Sequence, residues 1–289
     1  MLTQESIETS SPSRRVPRAM IKTVVLPDAS KRDIHLGGWK KDKPDSRDYK
    51  FKSLLPKAPA PRPSAVDNSK WCSGIENQGN LGSCTAHMFA GMVEYYDKRY
   101  GSTPTSNPRV SRLFEYYATR MIEGTVDEDS GAYIRDAVKA GAQYGVVREQ
   151  KWWYNIAKFT VKPGQKVWDA AALHKITSYH RIDDGDIETM KQALAAGDLI
   201  GFGFLVFDNF LTQEMATTGV LHRPSSSDQI AGGHAVVLVG YDDARGAFKV
   251  RNSWGKDWGQ SGYFWIDYDY VADKSLCNDF WVVNSVLTL

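Results

Sequence analysis

After Leu199 the chain changes its hydrophobic period, and this change constrains the fold more than any other feature. Residues 199–207 (LIGFGFLVF), 234–241 (HAVVLVGY), 247–254 (AFKVRNSW), 262–268 (GYFWIDY) and 279–286 (DFWVVNSV) are rich in β-branched and aromatic residues. They read as strands at hairpin-like spacing. The preceding stretch reads as helical over residues 84–100, 110–122, 132–144 and 187–196, with Gly101, Gly124, Gly145 and Gly197 as stops. Helices first and strands second predict an α+β fold with two lobes.

The first helix carries Met88, Met92 and Tyr96 at four-residue spacing. Gln78-Gly79-Asn80-Leu81-Gly82-Ser83-Cys84 leads into it. The glycines permit a tight turn that presents the helix start. A cysteine there is favoured as thiolate by the backbone dipole, so Cys84 is a candidate nucleophile. Gln78 can supply a side-chain N–H and Cys84 a backbone N–H to a developing oxyanion.

Further on, Ala231-Gly232-Gly233-His234 introduces an apolar strand, and its glycines let a ligand backbone come close at Gly233. In Arg251-Asn252-Ser253-Trp254-Gly255, Asn252 can accept the imidazole N–H and fix the tautomer of His234. Trp254 can shield that bond, and is also a candidate for touching substrate. This is a pattern for Cys/His/Asn nucleophilic catalysis, with no metal or organic cofactor required.

These residues resemble the papain family of cysteine peptidases. The step from Gln78 to Cys84, the run Leu81-Gly82-Ser83-Cys84-Thr85, His234 150 residues on and Asn252 168 on carry the resemblance. Trp258-Gly259 and Gly262-Tyr263-Phe264 extend it, over about residues 63–289. The upstream Gly38-Trp39 and Pro44-Asp45-Ser46-Arg47-Asp48 look most like bacterial members. The resemblance implies a helical lobe at about 76–180, a β-barrel-like lobe at about 181–289, and a cleft between them. It implies a cysteine endopeptidase acting on peptide or protein substrates through an acyl-enzyme. Val66-Asp67 resembles the start of a mature enzyme. Ser130-Gly131-Ala132 falls where relatives hydrogen-bond the substrate backbone. Leu81 stands in place of the usual half-cystine, and Thr85 in place of the usual aromatic residue.

The rival readings are a papain-like protein that binds peptides without turnover, and a Cys/His amidase or acyltransferase. A Cys84/His87 metal pair lacks further ligands nearby, so a packed His87 is expected. Trp152-Trp153-Tyr154 reads as core or lobe packing.

Composition sets off the N-terminal segment. Residues 1–62 hold 14 Lys/Arg against 7 Asp/Glu, while the remainder holds 22 against 27, giving the net +2 of the whole chain. Eight of twelve prolines fall in residues 1–63. The segment reads as extended and poorly packed, and either a solvated tail or an autoinhibitory, propeptide-like strap anchored by Trp39 and Tyr49. The strap reading is favoured and expects intramolecular docking on the cleft. A net charge of +2 gives no argument for nucleic acid. No segment has the length of a membrane span. Without an apolar signal stretch at the start, the cytoplasm is the default expectation, with other export routes open. Three cysteines exclude a disulfide framework, though Cys72 and Cys277 could pair under oxidising conditions.

Overall fold

The computed structural model describes residues 21–56, 61–101 and 109–286. The polyproline reading of Ala58, Pro59 and Ala60, and the reading of the first twenty residues, lie outside these.

The chain opens with a hairpin, β1 (Ile21–Val25) and β2 (Lys31–His35), paired Ile21 to His35 through Val25 to Lys31. Its turn is built by Asp28, whose carboxylate accepts from the N–H (3.0 Å) and hydroxyl (2.6 Å) of Ser30. Val24, Leu26, Ile34 and Leu36 enter the core of the β-rich lobe. A short strand β3 (Trp39–Lys40) and a single 3-10 turn (Phe51–Leu54) follow. The reading of this segment as poorly packed is therefore wrong for residues 21–56. Period-two apolar residues flank a turn, and they outweigh the polar composition around them. Burying one aromatic side chain such as Trp39 contributes about 4–6 kcal/mol of transfer free energy at most. Ordering the backbone opposes this by about 1–2 kcal/mol per residue.

The body begins with β4 (Ala65–Asp67) and then α1 (Cys84–Tyr100), a helix buried almost all round. α2 (Arg112–Glu123) starts where Ser111 accepts from the Phe114 N–H (3.2 Å) and ends at Gly124, with φ +71°. Residues 132–133, expected as the start of a helix, instead form β5 (Ala132–Tyr133), because their edge is taken by β3 in parallel register, Trp39 to Ala132. α3 (Ile134–Gln143) and α4 (Gln165–Ala171) complete the helical part.

Beyond the helical part the sheet resumes with β6 (Ile176–Ile182), which straddles the expected lobe boundary near residue 181. There follow α5 (Ile187–Ala196), β7 (Ile200–Phe207), α6 (Gln213–Thr218), β8 (Val220–Leu221), β9 (Ile230–Asp242) and β10 (Ala247–Arg251). β11 (Tyr263–Asp267), α7 (Tyr268–Ala272) and β12 (Cys277–Val286) close the chain. The strand order is β6-β12-β7-β9-β10-β11-β8, with β4 also on β9. Among the described residues no ladder joins β6 to β8, so the sheet is open where a barrel-like closure was expected.

Two cores result. One lies within the β-rich lobe and contains Phe204, Trp254, Trp258 and Cys277. The other lies between α1 and the sheet and contains Cys72, Cys84, Met88 and Val237. Cys72 and Cys277 sit in different cores and are free thiols, so the pairing entertained from sequence is not formed. Among the described residues no helix is long and apolar enough to cross a membrane, and no group of three or more His, Cys, Asp and Glu side chains is placed to hold a metal ion.

Candidate active site

Cys84 is the first residue of α1, on the wall facing β9, where His234 sits. The backbone N–H groups of Ala235 and Thr85 lie close enough to the sulfur to favour its thiolate form. The thiol thus lies beside the residue that follows His234. Asn252 is the first residue after β10. Its Oδ1 accepts from the Ser253 N–H at 2.8 Å, which identifies that atom as the oxygen. The same Oδ1 lies 2.8 Å from His234 Nε2, so Nε2 carries the proton. A neutral imidazole then has its lone pair on Nδ1, and Nδ1 is buried without a hydrogen-bond partner.

Gln78 is fastened to the Asn252 loop. Its N–H donates to the Ser253 carbonyl (2.9 Å) and its Oε1 accepts from the Ser253 hydroxyl (2.7 Å). That fixes the other end of the amide as nitrogen, which donates to the Leu81 carbonyl at 3.1 Å. An amide nitrogen has two hydrogens, so one remains to be used. The loop before the nucleophile and the loop carrying Asn252 are therefore held in one register.

Two supports were not read from sequence. The Asp129 carboxylate accepts from the Gly82 N–H at 3.0 and 3.1 Å and from the Tyr116 hydroxyl. Tyr154 donates to the Gln78 carbonyl (2.8 Å) and lies 2.7 Å from the Ser83 hydroxyl. Tyr154 stood in an aromatic run read only as packing; nothing in the sequence signalled Asp129. His87 is packed as expected, edge-on to Tyr154 with ring centroids 4.9 Å apart.

The N-terminal segment covers this site. A Cβ on Gly38 would lie 2.8 Å from the Cys84 sulfur and 2.6 Å from the Gly82 carbonyl oxygen, so only glycine fits there. The Gly37 N–H donates to the Gly233 carbonyl (2.8 Å), and the Gly38 carbonyl accepts from the Ala132 N–H (2.9 Å). Cys84 and His234 are consequently sealed from solvent. Burial pushes the Cys84 thiol up to about 12 and His234 down to about 4, so both are neutral.

A sequence profile described as papain family cysteine protease matches residues 62–279. The chain belongs to that family. It is 43% identical over 217 residues to an uncharacterised peptidase C1-like protein of Acanthamoeba polyphaga mimivirus, covering 73% of this chain and 69% of the relative. It is similar to the crystal structure of xylellain, a cysteine protease from Xylella fastidiosa, at 35% identity and TM-score 0.78, over 88% of this chain and 96% of that one. It shares a fold with a digestive procathepsin L2 from Tenebrio molitor at 20% identity and TM-score 0.67, over 86% of this chain and 78% of that one. These similarities make it a cysteine-type peptidase of papain-like fold.

The papain-family positions read as substrate contacts are distributed unevenly. Gly233 and Ala132 face residues 37–38. Gly131 lies under the Gly37 and Gly38 carbonyls, but its own N–H donates to Tyr116 at 3.2 Å. Ser130 is half-buried; its hydroxyl donates to Thr125 at 2.9 Å and accepts from the Lys40 ammonium of the N-terminal segment at 3.4 Å. Trp254 covers one face of the imidazole. It is fully buried, stacked on His234 with centroids 5.0 Å apart, and packed on Phe210 and Trp258. The apolar core behind the imidazole claims it.

Proposed function

We propose that this protein is a papain-like cysteine endopeptidase whose own residues 21–56 block its cleft. The observation that carries the catalytic reading is the Asn252–His234 bond, which leaves Nδ1 buried and without a partner on the strand that packs against the helix of Cys84. When the cleft opens, water returns and the burial that holds both groups neutral is relieved. His234 takes the thiol proton, and the sulfur adds to the peptide carbonyl. The second N–H of Gln78 and the Cys84 N–H hold the oxyanion. The C–N bond breaks as His234 gives its proton to the leaving amine. Water, deprotonated by His234, then hydrolyses the thioester and restores the thiol. The Ala132 N–H and Gly233 carbonyl, now used by Gly38 and Gly37, would pair with the substrate backbone. A peptidyl electrophile that labels Cys84, with casein cleaved in preference to small amides, tests this reading.

Ion pairs of both signs support the blocking role. Arg32 pairs with Asp257, Lys40 with Glu123 (2.7 Å) and Asp48 with Arg135 (2.7 Å). Arg32–Asp257 is partly exposed, and a pair of that kind contributes about 0–1 kcal/mol; Asp48–Arg135 is buried on both sides, where removing one partner costs about 3–5 kcal/mol. Because the segment is part of the same chain, its effective concentration at the cleft is high. Gly38→Ala in the full-length protein is expected to dislodge it, since the new methyl meets sulfur on one side and backbone on the other. Overpacking of this kind costs about 1–3 kcal/mol. Cleavage and Cys84 labelling should both accelerate roughly ten- to a hundredfold. Unchanged rates in a folded Gly38→Ala protein would show that the segment does not limit access.

A further inference from the structure

The peptide groups over Cys84 belong to residues 37 and 38, so the next side chain, Trp39, marks the first side-chain pocket beside the nucleophile. Its indole lies in a flat slot. A Cβ on Gly203 of β7 would come within 2.0 Å of indole Cε2, and one on Gly233 of β9 within 2.9 Å of Cε3. Neither glycine has the left-handed φ that would itself demand glycine. The three atoms nearest to the Gly203 position all belong to Trp39. What these glycines provide is room for a planar group.

The slot ends on a carboxylate. Asp279 lies in an irregular stretch of β12, between the pairings of Asn278 and Trp281 with β7, and has φ +62°. It is buried. Its Oδ1 accepts from Arg181 at 3.0 Å, and its own N–H donates to Asp184 at 3.1 Å. Its Oδ2 accepts from the Trp39 indole N–H at 3.0 Å and from the Asp42 N–H at 2.8 Å. Both Oδ2 donors belong to the N-terminal segment. When that segment leaves, this oxygen loses both at once.

We infer that the Trp39 slot selects substrates, and that it takes a flat side chain ending in an N–H donor, tryptophan or arginine, which bonds to Asp279. The inference rests on the peptidase reading and names its substrate class. Phenylalanine or leucine would fill the slot but leave a buried carboxylate oxygen without a donor, which is the expensive way to bind. A glutamate would add like charge. Lysine, with a tetrahedral head, matches a planar slot less well than a guanidinium.

The test uses full-length protein and a fluorogenic peptide library varied at each position beside the cleaved bond. Blocking by residues 21–56 lowers every rate by a common factor, which cancels in ratios of kcat/KM. At one position Trp and Arg should exceed Phe and Leu by roughly ten- to a hundredfold, with Glu poorest. Asp279→Asn, a residue tolerated at positive φ, should cut the Arg-to-Phe ratio at least about tenfold. Gly203→Ala, read independently, should lower Trp and Arg relative to Ala. An active wild-type enzyme that prefers Phe or Leu, or an Asp279→Asn profile equal to wild type, overturns the assignment. If neither wild type nor Gly38→Ala cleaves any peptide, the peptidase reading falls instead, and this inference with it.

Discussion

Cys84→Ala is expected to lower peptide cleavage by roughly 10⁴-fold or more while leaving the unfolding midpoint almost unchanged. The side chain is small and buried at a helix start, so alanine leaves only a small void and no unpaired charge. No other thiol can substitute. Cys72 and Cys277 are buried, with thiols held above their ordinary range by desolvation. They lie in packed cores, one among α1 and sheet residues, the other beside Phe204. A peptidyl electrophile should label the wild type at one site and the variant at none. Mass spectrometry of labelled peptides locates the site, and wild-type turnover in Cys84→Ala would end the catalytic reading.

The proposed catalytic quartet is legible in the sequence because its chemistry needs specific residue types in local contexts that sequence displays. A glycine turn before a helix presents Cys84, and an apolar strand entered through two glycines presents His234. What sequence does not display is orientation. Trp254 follows Asn252 closely enough to suggest a place at the site, but the sequence does not display that its ring stacks on His234. The ring's neighbours are Phe210, from a distant part of the chain, and Trp258, four residues on, and they make an aromatic core beside the imidazole. Asp129 and Tyr154 are similarly hidden. Each acts through contacts tens of residues away, and an acidic residue in a loop carries no mark of its partners.

The N-terminal segment is the larger lesson in local against global signal. Its charge and proline content describe an average over 62 residues, and the hairpin is a property of fifteen, Ile21–His35. Val24 and Leu26, then Ile34 and Leu36, alternate on either side of Pro27-Asp28-Ala29-Ser30, which is turn chemistry that could have been read. The β3–β5 pairing could not, since two-residue strands carry no period. The helix stops were readable for the opposite reason. Gly124 and Gly197 adopt φ +71° and +99°, conformations that local sequence alone can specify. Among the described residues the short β8 pairs with β11 alone, which leaves the sheet open.

Gln78→Ala is expected to reduce kcat by roughly 10²–10³ with little change in KM. The amide nitrogen would bond to the oxygen only once it carries developing charge, so the loss falls on the transition state and not on binding. The difficulty is that Gln78 also ties two loops together, through its backbone to Ser253 and its Oε1 to the Ser253 hydroxyl. Gln78→Glu separates the roles. It keeps an oxygen to accept from Ser253 but has no N–H to offer, and it brings a negative charge beside the oxyanion. Turnover by Gln78→Glu should therefore be at least as poor as by Gln78→Ala. Alkylation of Cys84 by iodoacetamide supplies the second readout, because that displacement generates no oxyanion. If Gln78 stabilises the oxyanion, alkylation in either variant stays within a few-fold of wild type while peptide cleavage collapses. A parallel fall in both rates would mean that Gln78 merely positions the loop bearing Cys84. An unchanged acylation rate would mean that its amide does not face the reacting carbonyl at all.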